Sequence, residues 1–153
     1  MLEFKFILGE YAFSKESSPY DMGDMVVTGL FGISDSRVSP REDMMLYLAI
    51  EDLVNVVEIL ADQADRTTHQ FDGIDGIFKL DFEKNDGLFH IKYKGTLIDS
   101  VPYDELIQSV LAGLENFISN HEYRLTPGVL KESDILKCRE NLFNLAMRRK
   151  KEF

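Results

Sequence analysis

Residues 78–93 read FKLDFEKNDGLFHIKY, and this stretch decides the fold class. Phe78, Leu80 and Phe82 alternate with charged side chains, and the same alternation resumes after residue 88. The intervening residues 84–87, Lys-Asn-Asp-Gly, are typical of a tight turn between antiparallel strands. The pattern therefore predicts a β-hairpin with one apolar face, and a second layer of structure has to cover that face.

Upstream of the hairpin, apolar residues recur at helical spacing. The segment Ser39–Glu42 has the composition of a capping box with proline at the first helical position, which predicts a helix from there to about Asp62. The apolar stripe of this helix consists of Leu46, Ile50, Leu53, Val57 and Leu60. One alternative stays open, because the apolar run Met44–Ile50 also fits a buried strand followed by a helix that begins near Glu51.

The remaining elements complete the order. Strands are expected at 3–8 and 25–33, a loop at 65–76, a short strand at 96–99, and helices at 103–120 and from about 133 onward. This order predicts an α+β domain, with an antiparallel sheet of about four to five strands and three helices packed on one face. Without any linker, residues 1–153 are expected to form a single domain, in which residues 126–153 supply a C-terminal helix with a basic end.

Charge is distributed unevenly along the chain. The net charge is −10, yet residues 126–153 hold seven Lys and Arg against four Asp and Glu, a net of +3, which leaves −13 for residues 1–125. An acidic body of this kind repels phosphate backbones, so we expect no nucleic-acid binding through the main domain. It attracts basic proteins instead, and we expect a basic protein partner.

The residues most often used in catalysis form no recognisable motif. Cys138 is the only cysteine and lies on an apolar stripe, which predicts a buried structural thiol. His69, His90 and His121 are scattered without the spacing of metal ligands and are expected to be ordinary surface histidines. Phosphate-binding loops and nucleophile elbows are missing as well. We therefore expect a protein that is not an enzyme and has no catalytic residue, cofactor or metal.

The expected cellular compartment follows from the charge of the N-terminal residues and the length of the apolar runs. Residues 1–9 are too short and too charged for a signal peptide, and no apolar run reaches the length that a membrane span needs. A single cysteine also fits a reducing environment. We expect a cytoplasmic protein with no membrane partner.

Acidic side chains concentrate between residues 51 and 75. The carboxylates of the predicted helix and of the glycine-containing loop after it are expected to form one partner-binding patch. That patch consists of Glu51, Glu58, Asp62, Asp65, Asp72 and Asp75. The loop could also hold a hard cation such as calcium, but it lacks the ligand spacing of a calcium-binding loop.

Four segments occur in an order that suggests a family. An opening strand at Glu3–Leu8 is followed by an acidic helix at Asp52–Asp62, a hairpin at Phe78–Tyr93 and a helix at Tyr103–Ser119. This layout resembles the small acidic immunity proteins that bacteria encode beside secreted or contact-delivered toxins. The resemblance implies a non-catalytic inhibitor that neutralises a basic toxin or nuclease by stoichiometric binding. The basic C-terminal helix lies outside the resemblance.

Two other classes of function stay open. An enzyme of unrecognised type, using carboxylates scattered in the sequence, predicts a deep pocket with two or more ionisable groups of shifted pKa. A homo-oligomeric regulatory or structural module predicts a large apolar surface on the isolated chain, with a strip such as Met44–Leu48 exposed.

Overall fold

The structure is a computed structural model that describes residues 2–10, 18, 20–73, 77–121 and 132–151. Within these residues there are eight strands and three helices: β1 Glu3–Leu8, β2 Met22–Thr28, β3 Ile33–Asp35, β4 Met44–Met45, α1 Leu46–Leu60, β5 Thr68–Asp72, β6 Lys79–Asn85, β7 Leu88–Tyr93, β8 Thr96–Pro102, α2 Tyr103–His121 and α3 Glu132–Lys151. The predicted α+β class is confirmed. The antiparallel strands are divided between two sheets of four, where the sequence pattern suggested one sheet.

The first sheet is built on β2. Strand β1 pairs with one side of β2, and β3 and β4 pair with the other side, all antiparallel. The prediction of one strand over 25–33 is wrong, because the chain turns back at residues 29–32, the β2–β3 turn. There the Gly29 amide donates to the Gly32 carbonyl at 2.9 Å. Apolar residues continue through this turn, so the apolar pattern alone did not reveal it.

The second sheet is an antiparallel meander in the order β5–β6–β7–β8. The predicted hairpin is confirmed as β6 and β7, joined at Asp86 and Gly87, whose φ angles of 52° and 78° suit a two-residue turn. Strand β5 falls inside the region predicted as a loop. Its sequence, THQFD, turns only Phe71 fully into the core, so it carries almost no apolar signal.

The predicted start of α1 is wrong. The helix begins at Leu46, not at Ser39, and the two preceding residues form β4. The side chain of Glu42 is 4% exposed and accepts a hydrogen bond from the Tyr93 hydroxyl, with the Lys94 ammonium at 3.5 Å. Because this carboxylate is bound by the second sheet, it does not fold back to cap a helix at Ser39.

The run Met44–Ile50 was open to two interpretations, a buried strand or part of the helix, and it contains both. Strand β4 ends at Met45, and α1 begins at the next residue. Met44, Leu46 and Tyr47 are at most 4% exposed. The predicted apolar stripe of α1 is confirmed, with all five of its members fully buried. The strip Met44–Leu48 is therefore largely core, and it does not offer the exposed surface that a homo-oligomer through this strip requires.

Helices α2 and α3 close the domain. Helix α2 approaches the backbone of β1 so closely that a Cβ at Gly113 would lie 2.4 Å from the Phe4 carbonyl oxygen. Helix α3 packs against α1 and α2. Cys138 is 4% exposed, between the buried Ile135 and Leu142, so the prediction of a buried thiol is confirmed.

Candidate functional site

The outer side of α1 carries carboxylates that the sequence predicted as a binding surface. Glu51 and Glu58 are seven residues apart, so they lie two helical turns apart on one side. Asp62 follows about one turn later, just after the helix ends at Leu60. The three positions span about 16 Å along the helix axis. No Lys or Arg occurs between residues 42 and 65, so nothing in this segment offsets the negative charge.

The predicted carboxylates are accessible where the structure describes them. Glu58, Asp62, Asp65 and Asp72 are exposed and Glu51 is half-buried, while Asp75 lies outside the described residues. Asp72 is 4.0 Å from the Lys79 ammonium. Within the described part of the chain, the other four make no salt bridge. Their charge is therefore available to a cation from outside the chain.

Strand β5 extends this surface sideways from α1. Burial raises the pKa of Asp52, the Asp72 carboxylate raises it further, and His69 lowers it. Asp72 therefore lies within electrostatic reach of α1 and adds to the same negative region. Asp52 belongs to the region although it was not predicted. We call the set Glu51, Asp52, Glu58, Asp62, Asp65 and Asp72 the acidic face.

The far end of the acidic face meets the start of α2. The Tyr103 hydroxyl donates to the Val57 carbonyl at 2.6 Å, which fixes the tyrosine beside the last turns of α1. Burial raises the pKa of Tyr103 to about 12. Arg149 and Arg148 lower this pKa, whereas Glu58 and Asp62 raise it. Carboxylates of α1 and guanidinium groups of α3 thus act on one hydroxyl, so the two sets of charges lie near each other.

An apolar side chain stands within the acidic face. Ile59 is 54% exposed, although it lies in a helix whose inward positions are fully buried. It is separated from Asp52 by seven residues, which places both on the same side of α1. A partner that contacts these carboxylates also reaches Ile59, and that contact adds burial of apolar surface to charge attraction.

A second charged region surrounds a cavity of about 890 Å³ near the end of β1. Asp24, which is 2% exposed, accepts a hydrogen bond from the Arg41 guanidinium at 2.6 Å and another from the Ser36 hydroxyl at 2.9 Å. Arg37 pairs with Asp35 at 2.7 Å and thereby lowers the pKa of Asp35. The Arg41–Asp24 pair holds the segment after β3 against β2, and the Arg37–Asp35 pair is local to the end of β3, so these charges have structural partners.

The β2–β3 turn forms the most apolar exposed segment. Leu30 is 70% exposed, Phe31 59% and the neighbouring Ile33 58%. The backbone of the turn is fixed against β8, because the Phe31 amide donates to the Ile98 carbonyl at 2.9 Å and the Leu30 amide donates to the Asp99 carboxylate at 3.2 Å. Large apolar side chains are thus held outward on a fixed backbone.

The described histidines and acidic residues are not arranged as a metal centre. His90 shares a hydrogen bond of 2.6 Å with Ser100, and the His121 ring lies 4.8 Å from the Phe117 ring. His69 lies in β5, not in a loop as expected. Among the described residues, no three His, Cys, Asp or Glu side chains are grouped in a way that could hold a metal ion.

Comparisons with protein families, curated proteins and solved structures find no match, so no relative's function bears on this chain. None of the described helices combines the length and the apolar character that crossing a membrane requires.

Four residues of this site were missed by the sequence reasoning. Asp52 follows a predicted member directly, and the helical period could have placed it on the outer side of α1. The helical period could also have placed Ile59 on the outer side of α1, because this residue is not part of the inward apolar stripe. Tyr103 belongs to α2, as does Asp104, whose carboxylate lies 3.1 Å from the Arg149 guanidinium, and no local pattern links them to α1.

Proposed function

We propose that this protein is a non-catalytic inhibitor that binds a basic protein, such as a toxin or nuclease, through the acidic face. The observation that carries the proposal is the row of carboxylates along α1, which are accessible to solvent and lie in a segment, residues 42–65, without Lys or Arg. Among the described residues, Glu51, Glu58, Asp62 and Asp65 make no salt bridge, whereas the buried Asp24 and Asp99 accept hydrogen bonds within the fold.

The charge of the whole chain supports the same conclusion. A net charge of −10 attracts a basic partner from a distance, and this raises the association rate at low ionic strength. The carboxylates of the acidic face then meet the partner's Lys and Arg side chains, while Ile59 supplies an apolar contact within them. Enzymes that act on nucleic acids need a basic groove, and an acidic inhibitor can fill such a groove.

The first experiment identifies the partner and then measures inhibition. Immobilised protein is exposed to a lysate of the source cells at low ionic strength, and the bound proteins are eluted with a salt gradient and identified by mass spectrometry. We expect one basic protein, released by salt. Its activity is expected to fall linearly with added inhibitor and to reach zero at one equivalent.

Two results would contradict the proposal. One is the absence of any specific partner over repeated captures. The other is a captured basic protein whose activity is unchanged when this protein is in excess, which would indicate binding without inhibition.

A further inference from the structure

The basic end of α3 contacts the first turn of α2, next to one end of the acidic face. The Arg149 guanidinium is 3.1 Å from the Asp104 carboxylate and 5.2 Å from the centre of the Tyr103 ring. A carboxylate together with an aromatic face is a common way to bind a guanidinium group. The chain therefore contains a small arginine-binding subsite, which its own Arg149 occupies.

This subsite adjoins α1. The Tyr103 hydroxyl is hydrogen-bonded to Val57, the residue directly before Glu58, and α3 packs against α1. The electrostatic influence of Glu58, Asp62, Arg148 and Arg149 on Tyr103 independently places these four charges in one neighbourhood. One cluster thus contains carboxylates of α1 and α2 together with guanidinium groups of α3.

The contacts of Arg149 are reversible ones. Its side chain is 31% exposed and that of Asp104 is 50% exposed, so the ion pair is accessible to water and individually weak. A hollow of about 330 Å³ lies beside Asp104, between α2 and α3, and it offers space for a second side chain. An arginine from another protein can therefore compete for the same carboxylate and ring.

We propose that the end of α3 is an internal competitor for the acidic face, with Arg149 in the place that an arginine of the basic partner takes. This inference rests on the proposed function, since it concerns the same surface. It predicts that the end of α3 weakens binding of weakly basic proteins, and that only a strongly basic partner displaces it. The competition makes the acidic face selective.

The test measures the dissociation constant of a fluorescein-labelled nona-arginine peptide by anisotropy at physiological ionic strength. The informative variant is Arg148→Ala/Arg149→Ala. Its matched control is Lys137→Ala/Arg139→Ala, which removes two exposed cations from the same helix about 15 Å away along its axis. That separation exceeds the Debye length at physiological salt, so the control corrects for the change in net charge.

We expect the Arg148→Ala/Arg149→Ala variant to bind the peptide about three- to tenfold more tightly than the wild type. The control is expected to change the dissociation constant by less than about twofold. Equal changes in the two variants, or weaker binding by Arg148→Ala/Arg149→Ala, would overturn the competition. Circular dichroism melting of both variants establishes that α3 is intact.

A third variant separates this inference from the proposed function. Glu58→Gln/Asp62→Asn removes two carboxylates of the acidic face and is expected to weaken peptide binding. If binding is unchanged in this variant, the acidic face is not the binding surface, and both proposals fail. The other outcome is that binding weakens as expected in Glu58→Gln/Asp62→Asn while the two α3 variants change the dissociation constant equally. In that case the proposed function stands, and the competition alone is wrong.

Discussion

The two outer strands of the second sheet lie next to surfaces of opposite character. Beside β5, α1 presents the acidic face, whose carboxylates are accessible and mostly unpaired within the described residues. Beside β8, the β2–β3 turn presents Leu30 and Phe31 on a backbone fixed by hydrogen bonds. The two strands are separated by β6 and β7, which is about 14 Å across the sheet.

This difference shows how the two surfaces respond to change. The acidic face depends on charge, so its effect reaches far and weakens with salt. The β2–β3 turn depends on close backbone contact with β8, so it tolerates changes of its exposed side chains but not of its backbone. Substitutions of carboxylates in the acidic face are expected to alter binding. Substitutions that displace the backbone of the β2–β3 turn are expected to alter stability.

The largest effect on stability is expected at Gly29. A Cβ at this position would lie 2.3 Å from the Ile98 carbonyl oxygen and 2.6 Å from the Asp99 Cβ, so the turn has to move away from β8. We expect Gly29→Ala to lower the free energy of unfolding by about 1–3 kcal/mol. Urea denaturation measures the change. The control is Asn55→Ala on the exposed side of α1, for which we expect a change within about 0.5 kcal/mol. Equal losses of stability at Gly29 and Asn55 would contradict the expectation that stability depends on the β2–β3 turn more than on the exposed side of α1.

The next largest effect on stability concerns Ser34 and Ser36, two fully buried serines that follow the β2–β3 turn. The Ser36 hydroxyl donates to Asp24 and accepts from the Met25 amide, whereas the Ser34 hydroxyl has no partner among the described residues. We expect Ser36→Ala to cost about 1–2 kcal/mol, because it leaves two buried groups, the Met25 amide and the Asp24 carboxylate, each with one hydrogen bond fewer. Ser34→Ala is expected to be neutral or to stabilise by up to about 1 kcal/mol.

Thermal unfolding of the two serine variants side by side provides the measurement. A loss of stability in Ser34→Ala as large as that in Ser36→Ala would show that the Ser34 hydroxyl does have a partner in solution.

The smallest effect is expected at Asp52. Its pKa is raised in the folded protein, mainly by burial, so folding favours the protonated form. The native state then binds more protons than the unfolded state between the two pKa values, and stability falls as the pH rises through this interval. Asp52→Asn removes this loss. Since Asp52 is only partly buried, we expect a gain within about 0.5 kcal/mol at neutral pH.

The pH dependence identifies the cause of the Asp52 effect. The gain is expected to disappear at a pH below the unfolded pKa, because Asp52 is then protonated in both states. Asp86→Asn, which removes the same charge from the β6–β7 turn, is the control. A gain at Asp52 that persists in acid would point to a cause other than its ionisation.

The elements that could be predicted from sequence are those with a strong period of their own. The hairpin Phe78–Tyr93 and the inward stripe of α1 were predicted correctly, because burial alone explains their patterns. The start of α1 was not, since Glu42 is bound by Tyr93, more than fifty positions further along the chain. Strand β5 was missed because it is an edge strand with mostly polar side chains.

The candidate site divides in the same way. Exposure of Glu58 and Asp62 follows from the helical period, and it was predicted. The position of Arg149 beside Tyr103 and Asp104 depends on how α2 and α3 pack, and no sequence spacing encodes that contact. Asp75 remains a prediction, because it lies outside the described residues.

The most direct test of the central claim compares two variants that carry the same net charge. Glu51→Gln/Glu58→Gln/Asp62→Asn neutralises three carboxylates of the acidic face, and Glu3→Gln/Glu115→Gln/Glu140→Gln neutralises three exposed glutamates elsewhere. The association rate of the captured basic partner is measured for each at several ionic strengths. We expect the first variant to associate at least about tenfold more slowly at low ionic strength and to lose most of the salt dependence of this rate, while the control stays close to the wild type. Equal losses in both variants would show that overall charge, not the acidic face, governs binding.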